Sequence, residues 1–469
     1  MTLFDLRHTM ARYFDISDLI RFARKNRAVS GIQRVQLHLL RALAAREGGH
    51  DVFCVFATHR HGLLRVCRAR ELLEAYDLDP VMLLLRLGIE RPARAFSQQE
   101  LQEYLAGYRK HSLGRALRKA SLQLLGMMAP HHARRRMGLP MRTPGLGYGA
   151  ESVQLRTINR LSDADELILM GTSLNFSGIE RLARRHARRG GCVVQVVYDL
   201  LPYTHPEYFV PDVVRKFAHF LARATTFTSC FVCISSATRE ALRRYMGEHG
   251  ITAQTHVWPL PHEFEGYPRN AQTAVPTRQP VVEILAQPFV LCVGTLEVRK
   301  NGIMLLRTWQ RLLAEMGPRT PQLVFAGKHG WKIDDFLELM RSDPALASRV
   351  TIVHHASDHD VAALYQQCLF TVFPSLAEGW GLPVGEAAWF GKYSIASATS
   401  SLPEVCGGLV DYIDPADLED IVNAVRRGIV DIDYRCGRER AISTAVLRTW
   451  QDAGDSFHTL LCLNRTAQG

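Results

Sequence analysis

The sequence predicts an α/β protein built from two doubly wound domains, and three observations carry that prediction. The chain has 469 residues, more than the roughly 250–300 that a single hydrophobic core organises. Short apolar, β-branched runs alternate with helical patterns in both halves, as parallel strands buried on both faces require. Residues 266–288, rich in proline, glutamine and threonine and only weakly periodic, separate the halves as a linker ending near Pro288. In folds of this kind, ligands bind beyond the carboxyl ends of the strands.

In the first half, assigned to 1–270, Ala11 to Ile16 reads as a strand followed by a short helix capped at Ser17. Ser30-Gly31 opens a helix carrying Ile32, Val35, Leu39, Leu40 and Leu43 on one face. Val52 to Ala57 is the next strand, after which a basic insertion at about 104–150 interrupts the pattern. Strands resume at Leu167 to Met170, Cys192 to Tyr198 and Thr228 to Ile234. Between them fall helices at Gly178 to Arg189 and Asp212 to Ala224, and Ser235 or Ser236 caps a helix running through Met246. In the second half, assigned to 288–445, strands are expected at Phe289 to Val293, Gln322 to Ala326, Val350 to Val353, Leu369 to Pro374, Tyr393 to Ala396 and Leu409 to Tyr412. Helices such as Gly302 to Met316 and Val361 to Gln367 separate them. Residues 446–469 are expected to form a helix that crosses back to the first half.

Composition narrows the function classes. The apolar fraction of 47% is that of a globular protein, and no apolar run reaches the roughly 18 residues that a membrane span needs. Met1 to Arg12 lacks a cleavable signal pattern, so a cytosolic location is expected. Ten cysteines are scattered. Cys230 and Cys233 form a Cys-x-x-Cys, but inside a strand-like stretch, so buried thiols are expected and no metal site. The net charge is +11, and no acidic residue occurs between Glu103 and Glu151 while the basic ones run from Arg109 to Arg142. Leu113, Leu117 and Leu122 interleave with them. The stretch reads either as a basic amphipathic surface for anionic lipid at the inner membrane or as a solvated helical insertion. Nucleic acid would also be drawn to such charge, but no recognisable nucleic-acid-binding motif is present, and none is expected as a partner.

The chemistry concentrates at three strand ends of the second half. After the first strand comes Gly294-Thr295-Leu296-Glu297-Val298-Arg299-Lys300-Asn301, where two adjacent cations precede a helix and can neutralise a diphosphate. After the second comes Gly327-Lys328-His329-Gly330-Trp331. After the fourth comes Glu378-Gly379-Trp380-Gly381-Leu382-Pro383-Val384-Gly385-Glu386, two carboxylates around a glycine-rich strand-to-helix turn whose free N–H groups and helix dipole suit an anion. Three glycine-bearing loops on one sheet edge are far less expected by chance than any one of them.

These residues resemble the retaining group 1, family 4 glycosyltransferases of GT-B architecture. The resemblance rests on the Glu-x7-Glu stretch at Glu378 and Glu386, on Gly294 to Asn301, on Asp414-Pro415, and on Thr449-Trp450-Gln451-Asp452-Ala453. It is strong over 288–465. Earlier in the chain it rests on Ser30-Gly31-Ile32-Gln33-Arg34-Val35, on Tyr198-Asp199-Leu200-Leu201-Pro202 with His205-Pro206-Glu207, and on Ile234 to Thr238. Many members carry arginine where Thr295 stands, glycine at Ser30 and histidine at Tyr198.

The resemblance implies two Rossmann-like domains facing a cleft, with the acceptor on the first and a nucleotide-sugar donor on the second. It implies Glu386 on the donor ribose, Glu378 on sugar hydroxyls, and Gly31, Gly294, Gly379, Trp380, Gly381 and Leu382 along the donor. Arg299 and Lys300 would stabilise the leaving diphosphate. Asp199 joins the catalytic set, although it could merely cap a helix, and Tyr198 and His205 are candidates for acceptor or sugar contacts. The donor is a substrate; no cofactor and no metal are implied. The Arg-Lys-Asn form resembles mannosyl- and rhamnosyltransferases of capsule, O-antigen or exopolysaccharide assembly, acting on a glycan or lipid-linked acceptor. The alternatives are a nucleotide-sugar epimerase or hydrolase on the same fold, and a non-enzymatic basic protein that binds membrane surfaces or nucleic acid.

Overall fold

The computed structural model describes residues 10–26, 31–46, 51–57, 63–73, 80–89, 118, 120–122, 137, 152–171 and 177–466. The basic stretch therefore lies almost wholly outside the described residues, as does Ser30. The chain divides into two compact units. The smaller comprises Ile20–Val29 and Glu71–Leu155; within it the helix Pro80–Arg86 is held to the returning chain by Val153 N–H donating to the Arg86 carbonyl at 2.9 Å.

The larger unit comprises Met1–Leu19, Ser30–Arg70 and Arg156–Gly469 and holds two sheets. Strands β1 (Arg12–Asp15), β2 (Val52–Ala57), β3 (Leu64–Arg68), β4 (Arg156–Ile158), β5 (Glu166–Leu169), β6 (Cys192–Val197), β7 (Cys230–Cys233) and β8 (Gln254–Val257) form the first. Its order is β4-β3-β2-β1-β5-β6-β7-β8. Pairing is parallel from β2 to β8, with Phe14 opposite Cys54 on one side and Ile168 on the other. At the β4 end, β3 runs antiparallel to both neighbours. The second sheet is parallel throughout: β9 (Phe289–Val293), β10 (Gln322–Ala326), β11 (Val350–Val353), β12 (Thr371–Phe373), β13 (Ser394–Ser397) and β14 (Asp411–Ile413), in the order β11-β10-β9-β12-β13-β14.

The buried strands formed where apolar runs predicted them, because a parallel strand covered by helices on both faces tolerates little else. The second core shows the logic. The helix Gly302–Met316 places Leu305, Trp309 and Leu312 at helical spacing against Val290, Leu323 and Phe325. Trp309 is fully buried, and its indole N–H donates to the Pro321 carbonyl at 2.9 Å, so the ring loses water without leaving its polar atom unsatisfied.

Two expectations are corrected, at Ser17 and in the linker, and the buried thiols at Cys230 and Cys233 are found as expected. Ser17 does not cap its helix: its hydroxyl donates to Asp15 and accepts from the Ala57 N–H, tying β1 to β2, while Asp15 receives the Ser17 N–H. The linker contains a helix, Gln279–Leu285, with Pro280 in its first turn, where the missing N–H costs nothing. Cys230 and Cys233 are free thiols on β7; three positions apart on a strand, their side chains leave opposite faces, and burial pushes both up to about 12.

Between the sheets the chain crosses through Trp258, Leu260, His262 and Phe264, all buried. The last helix, Trp450–Thr466, packs on Gly31–Ala45, so closely that a Cβ on Gly454 would lie 2.7 Å from the Ala42 Cβ. Trp258 donates to the Ala453 carbonyl at 2.8 Å and meets Phe457 edge-on.

Candidate active site

In the second sheet the strand order reverses between β9 and β12, which marks the crevice at their carboxyl ends as the ligand position of such a fold. The two charged loops leave from those ends. After β9 the chain passes Gly294 (φ +141°), makes a short 3-10 turn at Val298–Lys300, and enters the helix at Gly302 through Asn301 in the left-handed region. The Asn301 amide donates to the Pro415 carbonyl at 2.8 Å, which anchors the turn to the loop after β14. Gly294 and Gly327 lie backbone to backbone, since a Cβ on Gly327 would sit 1.8 Å from the Gly294 carbonyl oxygen. These anchors hold Arg299 and Lys300 at the switch point.

Both cations converge on Glu378, from the loop after β12. Lys300 Nζ lies 2.5 Å from Oε1 and Arg299 Nη1 2.6 Å from Oε2. Arg299 also donates to the Ala377 carbonyl and to Glu297, each at 2.6 Å, and Lys300 sits 4.5 Å from the centre of the Phe373 ring. Glu378 is 8% exposed. Burial alone would raise its pKa, but Arg299 and Lys300 overcome that and hold it at about 2. The two cations therefore favour its carboxylate form, which with two lone pairs per oxygen can accept further hydrogen bonds. Burial opposes the charge on Arg299 too, yet Glu378 and Glu297 keep its pKa above the ordinary arginine value.

The Glu378 turn is shaped by serines. Glu378 N–H donates to Ser400 Oγ at 2.8 Å, and the Ser401 hydroxyl serves the carbonyls of Glu378 and Trp380 at 2.9 Å each. Gly381 (φ +129°) then starts the helix Leu382–Trp389. Trp380 is 3% exposed with Arg448 over its ring, so its side chain is engaged in packing.

The first sheet meets this loop directly. Gly379 abuts the end of β6: a Cβ there would lie 2.1 Å from the Tyr198 carbonyl oxygen and 2.9 Å from the Asp199 Cβ. Asp199 accepts the N–H of Leu201, the first residue of the short helix Leu201–Thr204, at 3.0 Å, while the N-cap position itself is Leu200. Burial raises its pKa, with Arg299 pulling the other way. Gly31 opens its helix 4.0 Å from Leu382, measured from a built Cβ. Arg299, Lys300, Glu378, Gly379, Tyr198 and Asp199 thus form one cluster, and Gly31 with Leu382 a second contact. His205 stands apart, bonded to Thr204 at 2.8 Å and stacked on Tyr208. Trp331 also packs here, donating to the Tyr208 carbonyl at 2.8 Å.

Glu386 lies one turn into its helix, 7% exposed, and accepts from the Tyr365 hydroxyl at 3.0 Å. Burial raises its pKa while Arg34 lowers it. Sequence reasoning assigned no role to Arg34, Tyr365, Glu297, Ser400 or Ser401. Arg34 did leave a signal: a cation in the first turn of a helix opposes the macrodipole, so something other than helix stability explains it.

Two Rossmann-like sheets with a cationic switch-point site define the GT-B class. Residues 287–431 match the family model of glycosyl transferases group 1. The chain is 28% identical over 263 residues to the O-antigen chain mannosyltransferase B of Escherichia coli, covering 55% of this chain and 67% of that protein. It is 27% identical over 205 residues to the serotype-specific mannosyltransferase WbdA of Escherichia coli, where the match covers 41% of this chain and only 24% of that longer protein. Among solved structures it shares its fold with Anabaena HepE in complex with UDP-glucose, at TM-score 0.58 and 13% identity over 97% of this chain and 100% of that one. It also shares it with a sucrose-phosphate synthase from Thermosynechococcus elongatus, at TM-score 0.57 and 16% identity over 98% and 100%.

Proposed function

We propose that this chain moves a hexosyl unit, mannose ahead of rhamnose, from a nucleotide sugar to a glycan or lipid-linked glycan in bacterial surface polysaccharide synthesis, with retention of configuration. The observation that carries the reading is the convergence of Arg299 and Lys300 on one ionised carboxylate at the switch point of the group 1 domain. The mannosyltransferase names of the two Escherichia coli relatives favour mannose.

The chemistry follows from charge. Breaking a sugar–diphosphate bond builds negative charge on the leaving oxygen, and preorganised cations there stabilise the transition state more than the ground state. Arg299 and Lys300 take that role. Glu378 accepts hydrogen bonds from sugar hydroxyls and Glu386 from the ribose. The acceptor hydroxyl attacks from the side of the leaving phosphate, whose oxygen takes the proton, so Glu378 is not a covalent nucleophile. The basic stretch from Arg109 to Arg142 docks the enzyme on anionic lipid near its acceptor.

A thermal-shift panel of UDP-, GDP-, dTDP- and ADP-sugars tests the reading. A true donor at about 100 times its Kd stabilises by about 2.7 kcal/mol, and we expect one base class alone to do so. That donor, incubated with a mannose-terminated glycan, should yield an α-linked product. Stabilisation by none of the sugars, or release of free sugar without transfer, overturns the proposal.

A further inference from the structure

One cluster is unused by the chemistry above. Arg34 projects from the helix Gly31–Ala45, which covers the first sheet, yet its Nη2 lies 2.6 Å from Asp358 Oδ1, at the start of the helix Asp358–Gln367 of the second domain. Its guanidinium sits 5.0 Å from the Phe264 ring, on the crossing segment. Phe264 meets Tyr365 edge-on, and Tyr365 donates to Glu386. Four residues from three segments thus line up behind the carboxylate assigned to the ribose. The Arg34 side chain is 14% exposed and that of Asp358 54%. Much of the partner's charge is therefore screened by solvent, while Arg34 acts on Glu386 through protein.

We propose that Arg34 is a positioning residue that reaches from the acceptor-side domain to keep Glu386 in the carboxylate form that reads the donor ribose, so that apposition of the two domains and nucleotide recognition are coupled. The inference rests on the donor-site reading above. A neutral carboxylic acid offers fewer acceptor sites to two ribose hydroxyls than a carboxylate does. Burial disfavours the carboxylate. The charged and titratable groups facing it are Arg34, which favours ionisation, Asp358, which opposes it, and Tyr365, whose hydroxyl supports it. Loss of Arg34 removes the one cation among them, and donor affinity must then fall at a higher pH than in the wild type.

The test is the pH dependence of kcat/KM and of donor-induced thermal stabilisation between pH 5.5 and 9. The probe is the nucleotide sugar that stabilises the wild type, because a nucleoside diphosphate has a terminal phosphate that itself titrates near pH 6. Arg34→Met should raise KM for the donor more than it lowers kcat, and should move the acid limb up by about 1–3 pH units. Arg34→Lys should restore most of the limb. Asp358→Asn, which removes the ion pair but not the cation, should leave the limb at or below its wild-type position; a mere strap between domains would make Asp358→Asn behave like Arg34→Met. Glu386→Gln should abolish the limb, with or without Arg34. An Arg34→Met enzyme whose loss is uniform across pH, or absent, overturns the inference. Failure of every nucleotide sugar to stabilise the wild type overturns the donor-site reading instead.

Discussion

Replacing Lys300 with alanine will lower kcat for sugar transfer by about 10²–10³-fold, the cost of removing one preorganised charge donor from a developing anion, while the donor KM stays within a few-fold. The asymmetry follows from where the charge appears. On the proposed mechanism, the diphosphate of the bound donor already carries its negative charges, spread over several oxygens that Arg299 and the backbone would meet. The additional charge arises only as the glycosidic bond breaks, and an interaction realised there changes kcat. Glu378 complicates the experiment, because Lys300 is one of its two partners at 2.5 Å. A buried carboxylate stripped of a partner destabilises the fold, by about 3–5 kcal/mol where no partner remains. Arg299 remains at 2.6 Å, so the loss should be smaller, and thermal unfolding measures it. The Lys300→Ala/Glu378→Gln double variant removes the unpaired charge; it should recover stability without recovering turnover. Single-turnover rates at saturating donor decide the matter. An unchanged rate would mean that the cation serves only to hold Glu378.

What could be read from sequence divides along a physical line. Strands β9, β10 and β11 and the helix Gly302–Met316 fall on the expected residues, because the strands are unbroken apolar, β-branched runs, even at the half-buried edge strand β11, and the helix carries one continuous apolar face. Strands β3, β4 and β8 were not anticipated. Leu64–Arg68 alternates apolar and charged residues near an edge, Arg156–Ile158 is three residues long and largely exposed, and Gln254–Val257 is a half-buried edge strand. Edges carry polar residues by necessity and so lose the signal. The site follows the same rule. Glu378, Arg299 and Lys300 stand in compact local motifs. The pairing of Arg34 with Asp358 joins residues 324 positions apart, and no local pattern records it. Ser400 and Ser401 were equally silent, since a serine that shapes a turn through one hydrogen bond looks like any loop serine.

Gly379→Ala is the second large effect expected, and it acts through space rather than charge. Its added Cβ would fall 2.1 Å from the Tyr198 carbonyl oxygen and 2.9 Å from the Asp199 Cβ. Tyr198 directly follows β6, an interior strand of the first sheet hydrogen-bonded on both sides, so its backbone yields little. Gly379 is pinned from behind by the serine bonds to Glu378 and Trp380. With backbone on one side and a tethered turn on the other, the methyl fits only if the Glu378 loop and the end of β6 move apart by about 1 Å, the gap to the roughly 3.4 Å of ordinary packing being shared with local distortion. A displacement of that size between groups on opposite domains costs on the order of 10²-fold in rate. Each Rossmann core keeps its own contacts, so the unfolding temperature should fall little while kcat/KM falls by at least that factor. Binding of the nucleotide sugar, proposed to rest on Glu386 and the Arg299 loop of the second domain, should weaken less than turnover. Near-normal kinetics in Gly379→Ala would show that the contact between Gly379 and Tyr198 is not made during the reaction. A loss of stability equal to the loss of activity would show that the contact serves the fold instead.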